Sequence, residues 1–287
     1  MRLLFAIPHF YDPEGNRRHA SANEHRARRA ETVRTSLSSL RQTFTASQGT
    51  IDIAERKFVP INTASSVEAD LVVCTTRGKH LLEDLALPAK CFTHHATDAE
   101  PMYLGYECHA VLRDRLGDYD YYCFLEDDLI LSDPWFFLKL AFFNECAGPE
   151  CLLQPNRFEV SMTGAVRKAY IDGDLALPAT ERFQNISERS TLDGKLLGRP
   201  VKFQRPRNPH SGCFFLTKNQ LEHWASQPYF LDRSAAFIGP LESAATLGIM
   251  RAFRIYKTSP AAADFLEILH HRSAFLGLIG RQISVSI

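Results

Sequence analysis

The sequence lacks paired cysteines, long apolar runs and an excess of either charge, and each absence excludes something. Its seven cysteines are odd in number and scattered, with no CxxC pair, and Cys74, Cys123 and Cys213 sit among apolar neighbours. That argues against a disulfide scaffold or a zinc site and suits reduced thiols in a cytoplasmic protein. No window approaches the roughly 18 to 20 apolar residues of a membrane-spanning helix, so no transmembrane segment is expected. "DPWFFLKLAFFNECAG" comes nearest, but Lys139 and Asn144 interrupt it and it reads as a buried helix. The opening "MRLLFAIPHFYDPEG" has one basic residue and an apolar stretch broken by Pro8 and His9, too short for a signal peptide, and reads as a first strand. Lys plus Arg equals Asp plus Glu at 33 each, which offers no field for nucleic acid or an anionic membrane. There is no Walker-type glycine-rich loop and no His-Glu-x-x-His segment.

What is present is an alternation. "LLFAIP" stops at a proline, and "EHRARRAETVRTSLSSLRQTF" follows with Val33, Leu37, Leu40 and Phe44 at helical spacing. "ADLVVCTT" is a second buried strand, with "KHLLEDLAL" after it. "YLGYECHAVLRDRLGDY" is helical to about Gly117, and "YYCFLE" is the next strand. Strands alternating with helices over the first 140 residues predict a largely parallel sheet. Beyond residue 150, "CLLQPNRFEVS" reads as a strand, and 170–210 as loops or short hairpins. "CFFLT" is then a strand, "KNQLEHWASQ" a helix, "GPLESAATLGIM" a helix begun at Pro240 and "AFRIYKTS" part of a mixed tail. With 287 residues, no repeat and no linker, one compact unit is expected over 1–287.

The informative stretch is "YDYYCFLEDDLILSDPWFF", where Glu126, Asp127 and Asp128 close an aromatic strand. Ser132 or Asp133 would cap the next helix, with Pro134 in its first turn. That explains nothing about three acids packed between Leu125 and Leu129, where like charges repel and a desolvated carboxylate is costly. Ligands of open α/β sheets collect outside the carboxyl ends of the strands. A hard divalent cation, Mn²⁺ or Mg²⁺, would relieve the repulsion and bridge to phosphates. A plain charged turn is the alternative.

An aromatic strand ending in an acidic cluster, with a βα lead-in before it and a strand and helix set after it, resembles the GT-A-fold nucleotide-sugar glycosyltransferases and their Asp-x-Asp motif. The likeness in element order covers most of the chain; its one sharp motif is the three acids, with Glu126 in place of the usual first Asp. The resemblance implies a Rossmann-like α/β fold with a mixed, mostly parallel central sheet flanked by helices. In it, residues 1–140 bind the nucleotide sugar and 141–287 the acceptor. It implies transfer from a UDP- or GDP-sugar to a saccharide or glycan acceptor, probing Asp128 as the direct metal ligand, Glu126 as a ligand or ribose contact, and Asp127 beside them. A C-terminal histidine often completes such a metal site, which singles out His270 and His271 in "EILHHRS"; either reads equally as a surface or capping group.

An inverting enzyme also needs a carboxylate to take the acceptor proton. Glu242, in "GPLE" at a helix start, occupies a place resembling that of the base in inverting members, and reads equally as an ordinary helix-start acid. In "NPHSGCFFLT", His210, Ser211 and Gly212 precede a strand as a substrate contact or simply as a tight turn. For the donor, Phe10 and Tyr11 suit stacking on a base and Arg17 suits phosphate, as do Arg77 and Arg113, all of them common as solvated loop or surface groups as well. A nuclease or phosphotransferase, or a sugar-binding protein without turnover, are the rival functions.

Overall fold

The computed structural model describes residues 1–14, 25–45, 47–64, 66–164 and 166–284. Arg17 falls outside them. The chain begins with strand β1 (Arg2–Pro8), helix α1 (Arg26–Thr43), a hairpin of β2 (Gly49–Asp52) and β3 (Lys57–Pro60), then β4 (Glu68–Thr76) and β5 (Thr93–Thr97). Helix α2 (Leu104–Asp114), β6 (Tyr121–Leu125), the short β7 (Leu129–Ile130) and α3 (Phe136–Ala147) follow. Strands β6, β1, β4 and β5 lie side by side and parallel, in that order. The reason is visible in β1 itself. Its residues 3–7 are all buried, as a strand covered by helices on both faces must be.

Alternation along β1 sorts the core into two halves. Leu3, Phe5 and Ile7 face Val33, Leu37 and Leu40 of α1 and Phe136, Phe137 and Leu140 of α3. Leu4 and Ala6 join the cluster of Leu104, Cys108 and Leu112 of α2 on the other face.

The later chain contains β8 (Cys151–Leu153), β9 (Asn156–Val160), β10 (Lys168–Tyr170), a single turn α4 (Pro178–Glu181) and the hairpin of β11 (Thr191–Leu196) and β12 (Arg199–Gln204). Then come β13 (Cys213–Thr217), α5 (Lys218–Ala225), α6 (Pro240–Ala252), β14 (Arg254–Thr258) and β15 (Glu267–His270). Strand β13 adds to β6 antiparallel, so the central sheet is mixed, with α5 and α6 covering the same face as α2. Helix α5 carries a full capping box between Thr217 and Gln220. Close packing of α2 on α6 requires Gly105, where a Cβ would stand 2.5 Å from that of Ala244. Two four-stranded sheets complete the fold, in the orders β10-β9-β15-β7 and β11-β12-β14-β8.

Several sequence expectations shift in detail. "CLLQPNRFEVS" is two strands, because Gln154-Pro155 breaks the ladder and hands the chain from one small sheet to the other. Helix α3 starts later than Pro134: Asp133 instead accepts the amide of Trp135 at 2.9 Å in the turn before it. All seven cysteines are free. Among the described residues no helix is long and apolar enough to cross a membrane.

Phe137 packs its ring against those of Phe5, Phe44, Tyr121, Phe136 and Phe215. Truncating such a side chain forfeits transfer energy and leaves a cavity. Phe137→Ala is expected to cost about 3–5 kcal/mol in urea unfolding, whereas Leu138→Ala, at a neighbouring position 53 % exposed, should change it by less than about 0.5 kcal/mol.

Candidate active site

Strand β6 ends at Leu125 and the chain turns, so the three following carboxylates leave in three directions. Asp127 goes inward. It is 6 % exposed and sits against the Arg29 guanidinium of α1 and, at 2.6 Å, Nδ1 of His9 just past β1. The Leu81 amide donates to His9 Nε2 at 3.0 Å. Because Nε2 accepts, the proton is on Nδ1, and a neutral imidazole donates to Asp127.

Asp128 turns toward β15, where its Oδ2 stands 3.6 Å from His270 Nε2, while its Oδ1 is buried and has no hydrogen-bond partner. Its carbonyl accepts the His271 amide at 2.9 Å, which locks β7 to β15. Glu126 stays at the cavity wall, 3.6 Å from Arg157 Nη1, with its amide donating to the Gly212 carbonyl at 2.9 Å. Gly212 has φ +63°, and a Cβ there would lie 2.4 Å from the Glu126 carboxylate. Positive φ and close approach both call for glycine at this position.

Two networks of opposite charges hold these groups. His270 places Nδ1 at 2.8 Å from Glu159, which also accepts the amides of Phe275 and Leu276. Burial alone would lower the His270 pKa, but Asp128 and Glu159 together push it up to about 9. Asp128 is held well below the usual carboxylate range: desolvation opposes this, and His270, 3.6 Å away, overrides it, helped by Arg29 and Arg157. For Glu126 desolvation prevails. Only partly offset by Arg157, and reinforced by Asp128, it pushes the carboxyl up to about 8.

The second network is centred on Asp172, which accepts from Arg157 Nε and Nη2 at 2.9 and 2.7 Å and from Lys257 Nζ at 3.0 Å. Lys257 also donates to the His210 carbonyl at 2.7 Å. His210 is kept neutral, its pKa lowered to about 3 by burial and then by Arg157, and its Nδ1 lies 3.0 Å from the Thr246 hydroxyl.

These groups line one cavity of about 670 Å³ at the carboxyl ends of β1 and β6. It brings together Phe10, Glu126, Asp127, Asp128, His210, Glu242 and His270 from the residues singled out in the sequence. It does not bring in the others. Tyr11 is buried in the core, and Ser211 is fully buried with its hydroxyl donating to the Pro155 carbonyl at 2.8 Å. Gly212 backs Glu126 from behind. His271 turns to the Thr32 hydroxyl of α1 at 3.1 Å. Arg77 is exposed and paired with Glu100, and Arg113, about 14 Å along α2 from Leu104, is paired with Asp114.

Among the cavity residues that escaped the sequence reading are Arg29, Arg157 and Asp172. Arg29 had a signal, since it falls four residues before Val33 on the apolar face of α1, where a charge is out of place. Arg157 and Asp172 had none. They meet because β9 turns back on β10 and Ile171 donates to the Arg157 carbonyl at 3.0 Å. Another hollow, about 310 Å³, lies where β1 and β6 begin and is lined by Arg2, Asp118, Asp120 and Lys218 among others. It gathers no comparable set.

No protein-family model and no curated protein matches the sequence. Among solved structures the chain is similar to TarS of S. aureus, with a TM-score of 0.47 and 12 % identity over 95 % of this chain and 37 % of that one. It is also similar to S. aureus TarS 1–349 in complex with UDP, with a TM-score of 0.45 and 10 % identity over 91 % of this chain and 58 % of that one. The chain therefore spans less than two thirds of either neighbour. At these scores the likenesses leave the activity of this chain to be argued from its own cavity.

Raised pKa values give a pH signature. The folded protein holds a proton on His270 that the unfolded chain releases above its ordinary value of 6.5, so this stabilisation is complete below 6.5 and is lost as pH climbs through about 9. Glu126 has the same sign, with a window that closes near pH 8. Urea midpoints of the wild type are expected to fall from pH 6.5 to above 9. In His270→Gln the part of the fall above pH 8 should vanish.

Proposed function

We propose that this chain is a metal-dependent glycosyltransferase that moves a sugar from a nucleoside diphosphate sugar, a UDP- or GDP-sugar, to a saccharide or glycan acceptor. One observation carries the reading. Of the carboxylates lining the cavity, Glu126, Asp127, Asp128, Asp172 and Asp174 each have a basic partner, whereas Glu242 makes no hydrogen bond or ion pair among the described residues. A carboxylate with free lone pairs is what proton abstraction from a hydroxyl requires. Glu242 sits in the first turn of α6, behind Gly239 and Pro240.

The charged residues of the cavity suit a diphosphate. Arg29 and Arg157 supply buried positive charge, and Asp128 has an orphaned buried oxygen 3.6 Å from His270 at its other oxygen. Among the described residues no group of three or more metal-ligating side chains gathers. Mn²⁺ or Mg²⁺ would be held by Asp128 through its orphaned oxygen together with phosphate oxygens and water, and His270 would join it only on giving up its Nε2 proton. When bound, the ion supplies neutralisation of the leaving diphosphate. Glu126, protonated below about pH 8, is left to hydrogen-bond a hydroxyl of the donor. His210, neutral and beside Thr246, contacts the transferred sugar or the acceptor. Phe10 offers the donor base a ring to stack on. An attack from the Glu242 side with departure on the Asp128 side inverts the anomeric carbon.

A thermal-shift panel of UDP-, GDP-, CMP- and dTDP-sugars with Mn²⁺ or with EDTA tests this. One nucleotide class is expected to raise the Tm, and the rise should disappear with EDTA and in Asp128→Ala. Glu242→Gln should keep the shift and lose transfer by a factor of about 10² to 10⁴. A shift indifferent to chelator and to Asp128→Ala, or undiminished transfer by Glu242→Gln, would overturn the proposal.

A further inference from the structure

The cavity wall beside Glu242 differs in kind from the wall beside Asp128. Five aliphatic residues, Pro101, Leu104, Leu175, Ile238 and Leu241, line the cavity, the last two just before Glu242 in the chain and Leu175 next to the exposed Asp174. Single exposed apolar side chains are ordinary, but these are contiguous. The turn Pro101–Tyr103 packs on α6, and Leu175 packs on the same buried cluster as Leu104, Phe237 and Ala244. Ile238 is 59 % exposed and Leu241 40 %, and Met102, next to Pro101, is 45 % exposed.

Ile238 also stands where chain geometry disfavours it. Its φ is +59°, a left-handed conformation that strains a β-branched residue and that Gly or Asn adopts far more readily. A hydrogen bond of 2.7 Å from the Gly239 amide to the Phe237 carbonyl closes the tight turn around it. Strained backbone of this sort clusters at ligand-binding positions. Here it projects a branched aliphatic side chain into the cavity mouth, four residues before Glu242.

A pyranose could lay only its C–H face on these side chains, and covering all five takes more apolar surface than one sugar face presents. Aliphatic side chains of this kind match a hydrocarbon chain instead. Resting on the glycosyltransferase reading, we infer that the acceptor carries an aliphatic chain next to its nucleophilic hydroxyl, and that Ile238 and Leu241 select it. In the transfer, the acceptor oxygen bonds to the anomeric carbon as the bond from that carbon to the diphosphate oxygen breaks. The hydroxyl proton passes to Glu242, and the diphosphate leaves with the bonding electron pair.

Methyl, hexyl and octyl β-D-glucoside, each below its micelle concentration, are titrated calorimetrically into the full-length protein, with UDP and GDP plus Mn²⁺ measured by thermal shift in parallel. Affinity is expected to rise at least about tenfold from methyl to octyl, a fraction of the roughly fourfold per methylene that full burial would give. The double variant Ile238→Asn/Leu241→Gln should abolish that rise and keep the nucleotide shift, a cooperative melt of the unliganded variant showing that it is folded. If a nucleotide shifts the protein but octyl glucoside binds no better than methyl, the acceptor inference falls and the transferase reading stands. Loss of the nucleotide shift in the double variant assigns the wall to the donor and likewise overturns the inference. A chain-length effect with no nucleotide shift in the wild type sinks the transferase reading and leaves the aliphatic subsite in place.

Discussion

The arrangement of the cavity depends on the buried contact of Asp127 with Arg29 and His9. Three acids in a row cannot all face one space at neutral pH, because each added charge raises the cost of the next. By pairing Asp127 with a guanidinium and a neutral imidazole donor, the fold compensates one of the three charges at the cavity wall. It also ties the ends of β1 and β6 to α1. A buried ion pair of this kind adds little net stability over an apolar replacement, but removing one partner strands the other charge in a low dielectric. Its contribution is to fix the turn: with Asp127 anchored on α1, Glu126 is left to Arg157 and Asp128 to His270.

The remaining carboxylates are then sorted by their partners. Asp128 keeps its charge because His270 faces it, and His270 keeps its proton because Glu159 faces its other nitrogen. Glu126, with a cation at 3.6 Å and an acid two residues away, is protonated more readily. Asp172 is saturated by Arg157 and Lys257. The resulting cavity holds an interlocked set of charges together with Glu242, a carboxylate that makes no hydrogen bond or ion pair among the described residues.

Much of the fold was legible in the chain because its signals are local. The uninterrupted "LLFAI" and "LVVCTT" runs can only be strands covered on both faces, and Val33, Leu37 and Leu40 mark the buried side of α1. The antiparallel placement of β13 was not legible, since an apolar run has the same composition whichever way it is paired. The break at Gln154-Pro155 could be suspected from the proline, but not that it moves the chain between two sheets.

The site divides in the same way. Sequence alone determined that acids cluster at a strand end and that Glu242 opens a helix behind Gly239 and Pro240, because turn chemistry and strand periodicity reach only a few residues. Tertiary structure decided that Asp127 faces inward and Asp128 toward His270, that His271 turns away to Thr32, and that Arg157 meets Asp172. These outcomes rest on partners remote in sequence, such as Asp127 with Arg29 and His9, 98 and 118 residues away. A side chain's direction and charge are set by whatever the fold brings within a few ångströms, and no local pattern encodes that.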